Sequence, residues 1–140
     1  MNRFSMAVLV GAVSIALTGC AGSLNRTYKQ VLHDNPQCAN VEYEKEYTCV
    51  RMAMYDSNIG LDAGNDVKLR HENTCLGVAK SLGRELQATP VIVFPQGRDR
   101  CRISLDYGYQ LRVVEAWYDR AGGELNYRIV QSGKMGSYDY

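Results

Sequence analysis

Four of this chain's cysteines, Cys38, Cys49, Cys75 and Cys101, are scattered through its middle, and a fifth stands apart at Cys20. This scatter constrains the fold more than any other feature. A structural zinc site or a thiol redox site brings two cysteines together as CxxC, and that spacing is absent. In an oxidising compartment the four central cysteines read instead as two disulfides, each stabilising the domain by about 3 kcal/mol through restriction of the unfolded chain. The odd fifth cysteine needs a separate fate. The rest of the composition suits one globular domain, with 46% hydrophobic residues in 140. With 16 Lys+Arg against 15 Asp+Glu the chain lacks the clustered positive charge of a general nucleic-acid binder.

The fate of Cys20 is written in the residues before it. Arg3 opens a short charged start, Phe4 to Leu17 is a nearly unbroken apolar stretch, and Gly19 and Ala21 are small. A bilayer span needs ~20 apolar residues, so this run has the layout of a secretory signal peptide. It ends in Leu17-Thr18-Gly19-Cys20, which resembles the lipobox of bacterial lipoproteins. The resemblance implies that Cys20 carries a diacylglycerol thioether, that residues 1–19 are removed, and that the new amino terminus is acylated. Two or more acyl chains hold a protein durably on a membrane, at about 0.8 kcal/mol per buried CH₂. In the Gram-negative members of that family an Asp after the cysteine favours inner-membrane retention, so Ala21 implies the outer membrane, facing the periplasm, whereas in a Gram-positive cell the same anchor would leave the domain outside. Loss of Arg3 with the signal peptide leaves 15 of the 16 basic residues against 15 acidic ones, a neutral mature chain.

The expected organisation is a signal peptide over 1–19, a lipidated tether over 20–30, one domain over 31–132 and a tail over 133–140. Within the domain, Val41 to Tyr55 is ambiguous. Val41, Tyr43, Tyr47 and Cys49 alternate with acidic residues as in a strand, yet Tyr43, Tyr47, Val50 and Met54 also recur at helical spacing. The Tyr and Val content favours a strand. Asp56 to Gly64 reads as a loop. Asn73 or Thr74 can cap a helix carrying Leu76, Ala79, Leu82 and Leu86 on one stripe, while Asp66 is a rival cap two turns earlier that adds Leu69. The helix stops before Thr89-Pro90, because proline disfavours helical geometry in the preceding residue. Strands are expected at Val91–Phe94, Cys101–Tyr109, Leu111–Tyr118 and Leu125–Gln131, the last two joined by a Gly-rich hairpin over 119–124. The simplest assembly is an α+β domain with one main helix packed on a small antiparallel sheet and braced by two disulfides.

Chain geometry ranks the three possible cysteine pairings. A helix over 74–88 rises roughly 20 Å, and the strand after it can run back about as far at ~3.3 Å per residue, returning Cys101 to the helix start beside Cys75. Cys75–Cys101 with Cys38–Cys49 is therefore preferred. The rival, Cys49–Cys101 with Cys38–Cys75, gains if Glu42, Glu44 and Glu46 lie on a strand beside Arg98, Arg100 and Arg102.

Motifs for catalysis are missing. Asp56 to Val67 begins like a calcium loop, but its glycine is displaced and Val67 stands where a bidentate Glu is needed. There is no HExxH around His33 or His71, no GxSxG and no phosphate-binding glycine pattern. The reading is a non-enzyme without cofactor or metal. Arg98, Arg100 and Arg102 alternate on one strand, either as a solvated edge-protecting face or as a site for an anionic partner. Trp117, Tyr118, Tyr138 and Tyr140 are candidate anchors for a protein partner. An anchor, a braced domain and an adhesive surface together point to an accessory or assembly factor of an envelope complex serving transport, secretion or a surface structure. The alternative is an inhibitor or immunity lipoprotein that blocks a wall hydrolase or toxin.

Overall fold

The computed structural model describes residues 23–118 and 125–133. Helix α1 (Ser23–Asp34) is followed by a 3-10 turn at Pro36–Cys38, then α2 (Tyr43–Ser57) and α3 (Val67–Leu86). Four strands complete the chain: β1 (Thr89–Gln96), β2 (Arg100–Asp106), β3 (Leu111–Tyr118) and β4 (Leu125–Gly133). They form an antiparallel meander in the order β1-β2-β3-β4. The domain is α+β, as expected, with three helices among the described residues where the sequence pattern pointed to one main helix.

The clearest predicted element is present with its earlier start. Asp66 accepts a hydrogen bond from the backbone N–H of Leu69 and caps α3, so the rival cap wins over Asn73 and Thr74. Thr74 instead bonds its own helix, donating to the carbonyl of Arg70. Leu76, Ala79 and Leu82 are buried against Val93, Cys101, Ile103, Leu105, Val114 and Ala116 of the sheet. At the other end Gln87 turns left-handed at φ 55°, and the Ala88 N–H closes back on the Gly83 carbonyl.

Residues 43–57 are a helix, which overturns the strand expected from Val41 to Tyr55. The helical stripe prevails because Glu44 and Glu46 fall in the first turn, where the helix dipole favours them, and because Lys45, Arg51, Met52, Ala53 and Met54 are good helix formers. Period-2 and period-3.6 patterns coincide in this segment, and burial of Val50 and Met54 against α1 selects the second. That second small core also takes Val31 and Cys38. α1 begins at Ser23, inside the segment read as tether, and Tyr28 on it donates to Glu46 of α2 at 2.9 Å.

β1 contains Pro90 and Pro95, which an edge strand tolerates. Its free edge is covered by α2, where the Thr48 hydroxyl accepts from the Val93 N–H at 3.2 Å. Both disulfides join the pairs that chain geometry prefers, Cys38–Cys49 and Cys75–Cys101, with Cα separations of 5.5 and 5.6 Å. The first ties the 3-10 turn to α2, and the second ties α3 to β2.

Candidate functional site

Strand register sorts the predicted binding residues by face. Residues directly opposite one another in an antiparallel pair share a face, so Phe94, Arg102, Glu115 and Arg128 form one row across the sheet. Gln96, Arg100, Trp117 and Asn126 form the next row on the same side, opposite α3. Two of the three predicted arginines and Trp117 are thus brought together.

Their partners are not the expected ones. Glu44 and Glu46 lie in α2 and Glu42 precedes it, so no glutamate ladder meets the arginines. Instead Glu115 accepts from Arg100 on one carboxylate oxygen and from Arg128 on the other. Burial pushes the Glu115 carboxyl up, but its two guanidinium hydrogen bonds outweigh this and hold it below the usual carboxylate range. The Arg100 guanidinium also lies 5.9 Å from the centre of the Trp117 ring, within cation–π range. Arg102, although opposite Glu115 in register, makes no ion pair with a described residue. Beside it Phe94 is 41% exposed. Below these rows Ile92, Ser104 and Val113 are buried, and the Ser104 hydroxyl finds no hydrogen-bond partner among the described residues.

The other predicted anchors separate. Arg98 lies in the turn between β1 and β2, and its carbonyl accepts from the Tyr118 hydroxyl at 3.5 Å. Tyr118 faces the α3 side, packed against the main core and edge-on to His71, so it is not an exposed anchor. The alternation of β3 places it on the opposite face from Trp117. Cys20, Tyr138 and Tyr140 lie outside the described residues.

Two groupings were not legible in local sequence. The first joins α2 to α3: Glu72 accepts from Tyr47 at 2.7 Å and from Arg51 at 2.8 Å, and Arg51 also donates to Asn73. Asn73 in turn donates to the carbonyl of Leu61. Burial, and then the bonded carboxylate, push the Tyr47 hydroxyl well above its ordinary range. The same causes, with Glu46 as partner, raise Tyr28 to about 12. A cavity of about 520 Å³ adjoins this cluster, bordered by Tyr47, Glu72, His71 and β1. Every polar member has a partner, so the cluster acts as a structural clamp.

The second grouping places His71 of α3 beside the Cys75–Cys101 disulfide, with the three side chains' ligand-type atoms all within 4.8 Å of one another. His71 Nε2 is buried and has no hydrogen-bond partner among the described residues. The spacing of four residues between His71 and Cys75 on one helix was the available signal, and the disulfide to Cys101 supplied the third member.

Comparison with protein-family models, curated proteins and solved structures returned no match to this chain. Among the described residues no helix is long and apolar enough to cross a membrane.

Proposed function

We propose that this chain is a lipid-anchored, non-catalytic accessory or assembly factor of an envelope protein complex, held at the periplasmic face of the outer membrane through Cys20. It meets its partner with the sheet face opposite α3. The observation that carries this reading is the juxtaposition of Arg102, which has no ion pair with a described residue, with exposed Phe94 and the Arg100–Trp117 contact. Aromatic and arginine side chains supply most of the energy of protein interfaces. Glu115 holds Arg100 and Arg128 in place, so these cations are positioned before a partner arrives.

The test is affinity purification of the anchored protein after cross-linking in cells, with the neighbours identified by mass spectrometry. A multi-subunit envelope complex is expected, and Arg100→Glu with Arg102→Glu reduces its recovery while the melting temperature stays within a few degrees. Undiminished recovery from that variant removes this face from the interface. A single hydrolase or toxin as the sole partner moves the protein to the inhibitor or immunity class.

A further inference from the structure

We propose that His71, Cys75 and Cys101 form a redox-gated site for a divalent thiophilic cation of the zinc type, with the disulfide and the metal as alternative occupants of one position. His71 and Cys75 lie one turn apart on the same face of α3, the spacing at which a helix presents two ligands to one ion. Cys101 of β2 faces them across the helix–sheet interface, and the three candidate ligand atoms are already within 4.8 Å of one another. A tetrahedral zinc site with Zn–S of about 2.3 Å and Zn–N of about 2.0 Å needs ligand atoms roughly 3.5 Å apart, so only small side-chain rotations are required.

Three features favour an ion here. His71 Nε2 is a buried nitrogen without a hydrogen-bond partner among the described residues, and coordination would satisfy it. Both cysteines are fully buried, where a bare thiolate is unfavourable. Two thiolates around a dication leave no net charge, which selects a divalent ion over a monovalent one. A cavity of about 360 Å³ bordered by Val67, Arg70, His71, Thr74 and Tyr118 lies against the histidine side of the site.

The exchange balances with a dithiol reductant. Two electrons from the reductant break the Cys75–Cys101 bond, giving two thiols and the reductant's own disulfide. Each thiol then releases one proton as it binds the ion, and neutral His71 contributes its imidazole. In the reverse exchange the oxidised, disulfide form of that reductant takes two electrons from the cysteine pair, Cys75 and Cys101 re-form their bond, and the divalent ion leaves.

Cobalt(II) is the probe, added to the full chain carrying Cys20→Ser in its oxidised and dithiol-reduced forms, with a parallel Cys38→Ser/Cys49→Ser background. The reduced protein is expected to bind one cobalt with a sulfur-to-cobalt charge-transfer band that zinc displaces, while the oxidised protein shows none. His71→Ala should weaken binding roughly tenfold or more, and the band should survive in the Cys38→Ser/Cys49→Ser background. An unchanged cobalt affinity in His71→Ala overturns the proposal, as does the absence of the band in reduced protein that keeps its helical circular dichroism. If reduction alone abolishes the helical signal, its recovery with zinc in the native sequence but not in His71→Ala supports the site. Failure of zinc to restore it overturns the site.

Discussion

Arg51 of α2 donates from Nε to Glu72 of α3 at 2.8 Å, with the arginine side chain only 2% exposed and the glutamate 17%. Truncating one partner of such a pair strands the other charge away from water, at a cost of about 3–5 kcal/mol. Glu72→Ala is therefore expected to lower stability by about that amount in urea denaturation. Arg51→Met should cost less, because the carboxylate it strands is the more exposed partner and still accepts from Tyr47. Equal losses from the two variants would show that packing, not the stranded charge, sets the cost.

Glycine in a helix interior is ordinarily improved by alanine, by about 1 kcal/mol. Gly83 should do the opposite. A Cβ there would stand 2.7 Å from the Ala88 carbonyl oxygen and 3.0 Å from Pro90 Cδ, where the chain folds back into β1. At Gly77 the nearest atom, also at 2.7 Å, is the hydroxyl of Tyr55, the far end of a side chain that can swing away. Gly83→Ala is expected to be the more destabilising of the two in thermal melts. The reverse order would mean that the α3–β1 turn yields more readily than Tyr55.

Alkaline titration should resolve two late tyrosines. Tyr28 is raised from an ordinary 10.0 to about 12, first by burial and then by its bond to Glu46, and Tyr47 is raised further by burial and Glu72. A raised folded value means that the native state holds the proton more tightly than the unfolded chain. This stabilisation is complete below pH 10 and is lost as pH rises through about 12 for Tyr28. Ultraviolet difference titration of Tyr28→Phe and Tyr47→Phe should each remove one late step. Ionisation of all the tyrosines in a single step near the ordinary value would contradict the burial and carboxylate bonding of these two.

Lipidation is checked directly at the residue that the lipobox resemblance singles out. Cys20→Ala should lose fatty-acid label and leave the membrane fraction, and Ala21→Asp should shift the protein toward the inner membrane in a Gram-negative host. Continued labelling and membrane retention of Cys20→Ala would put the acyl chain on another residue.

The amino-acid sequence by itself determined the elements whose signals are local and unopposed. The apolar stripe of Leu76, Ala79 and Leu82 specified α3, Thr89-Pro90 specified its stop, and the apolar runs placed all four strands within a few residues of their ends, with Leu111–Tyr118 matched in full. Chain reach then ranked the disulfides in the order the structure shows, because a helix followed by a returning strand brings Cys101 back beside Cys75, while a strand at Val41 to Cys49 kept the Cys49–Cys101 rival open. Tertiary structure decided the rest, for one recurring reason: side-chain identity fixes a residue's chemistry but not its neighbours. Residues 43–57 satisfy strand and helix periods alike, and packing of Val50 and Met54 on α1, added to the acidic first turn and the helix-forming residues, chose the helix. Arg51 reads as a surface charge until Glu72, 21 positions away, is folded against it. Arg100 looks equally suited to Glu42, Glu44 or Glu46, but strand register hands it to Glu115. Trp117 and Tyr118 are adjacent in the chain, and the pleat of β3 sends one to the outer face and the other into the core beside His71.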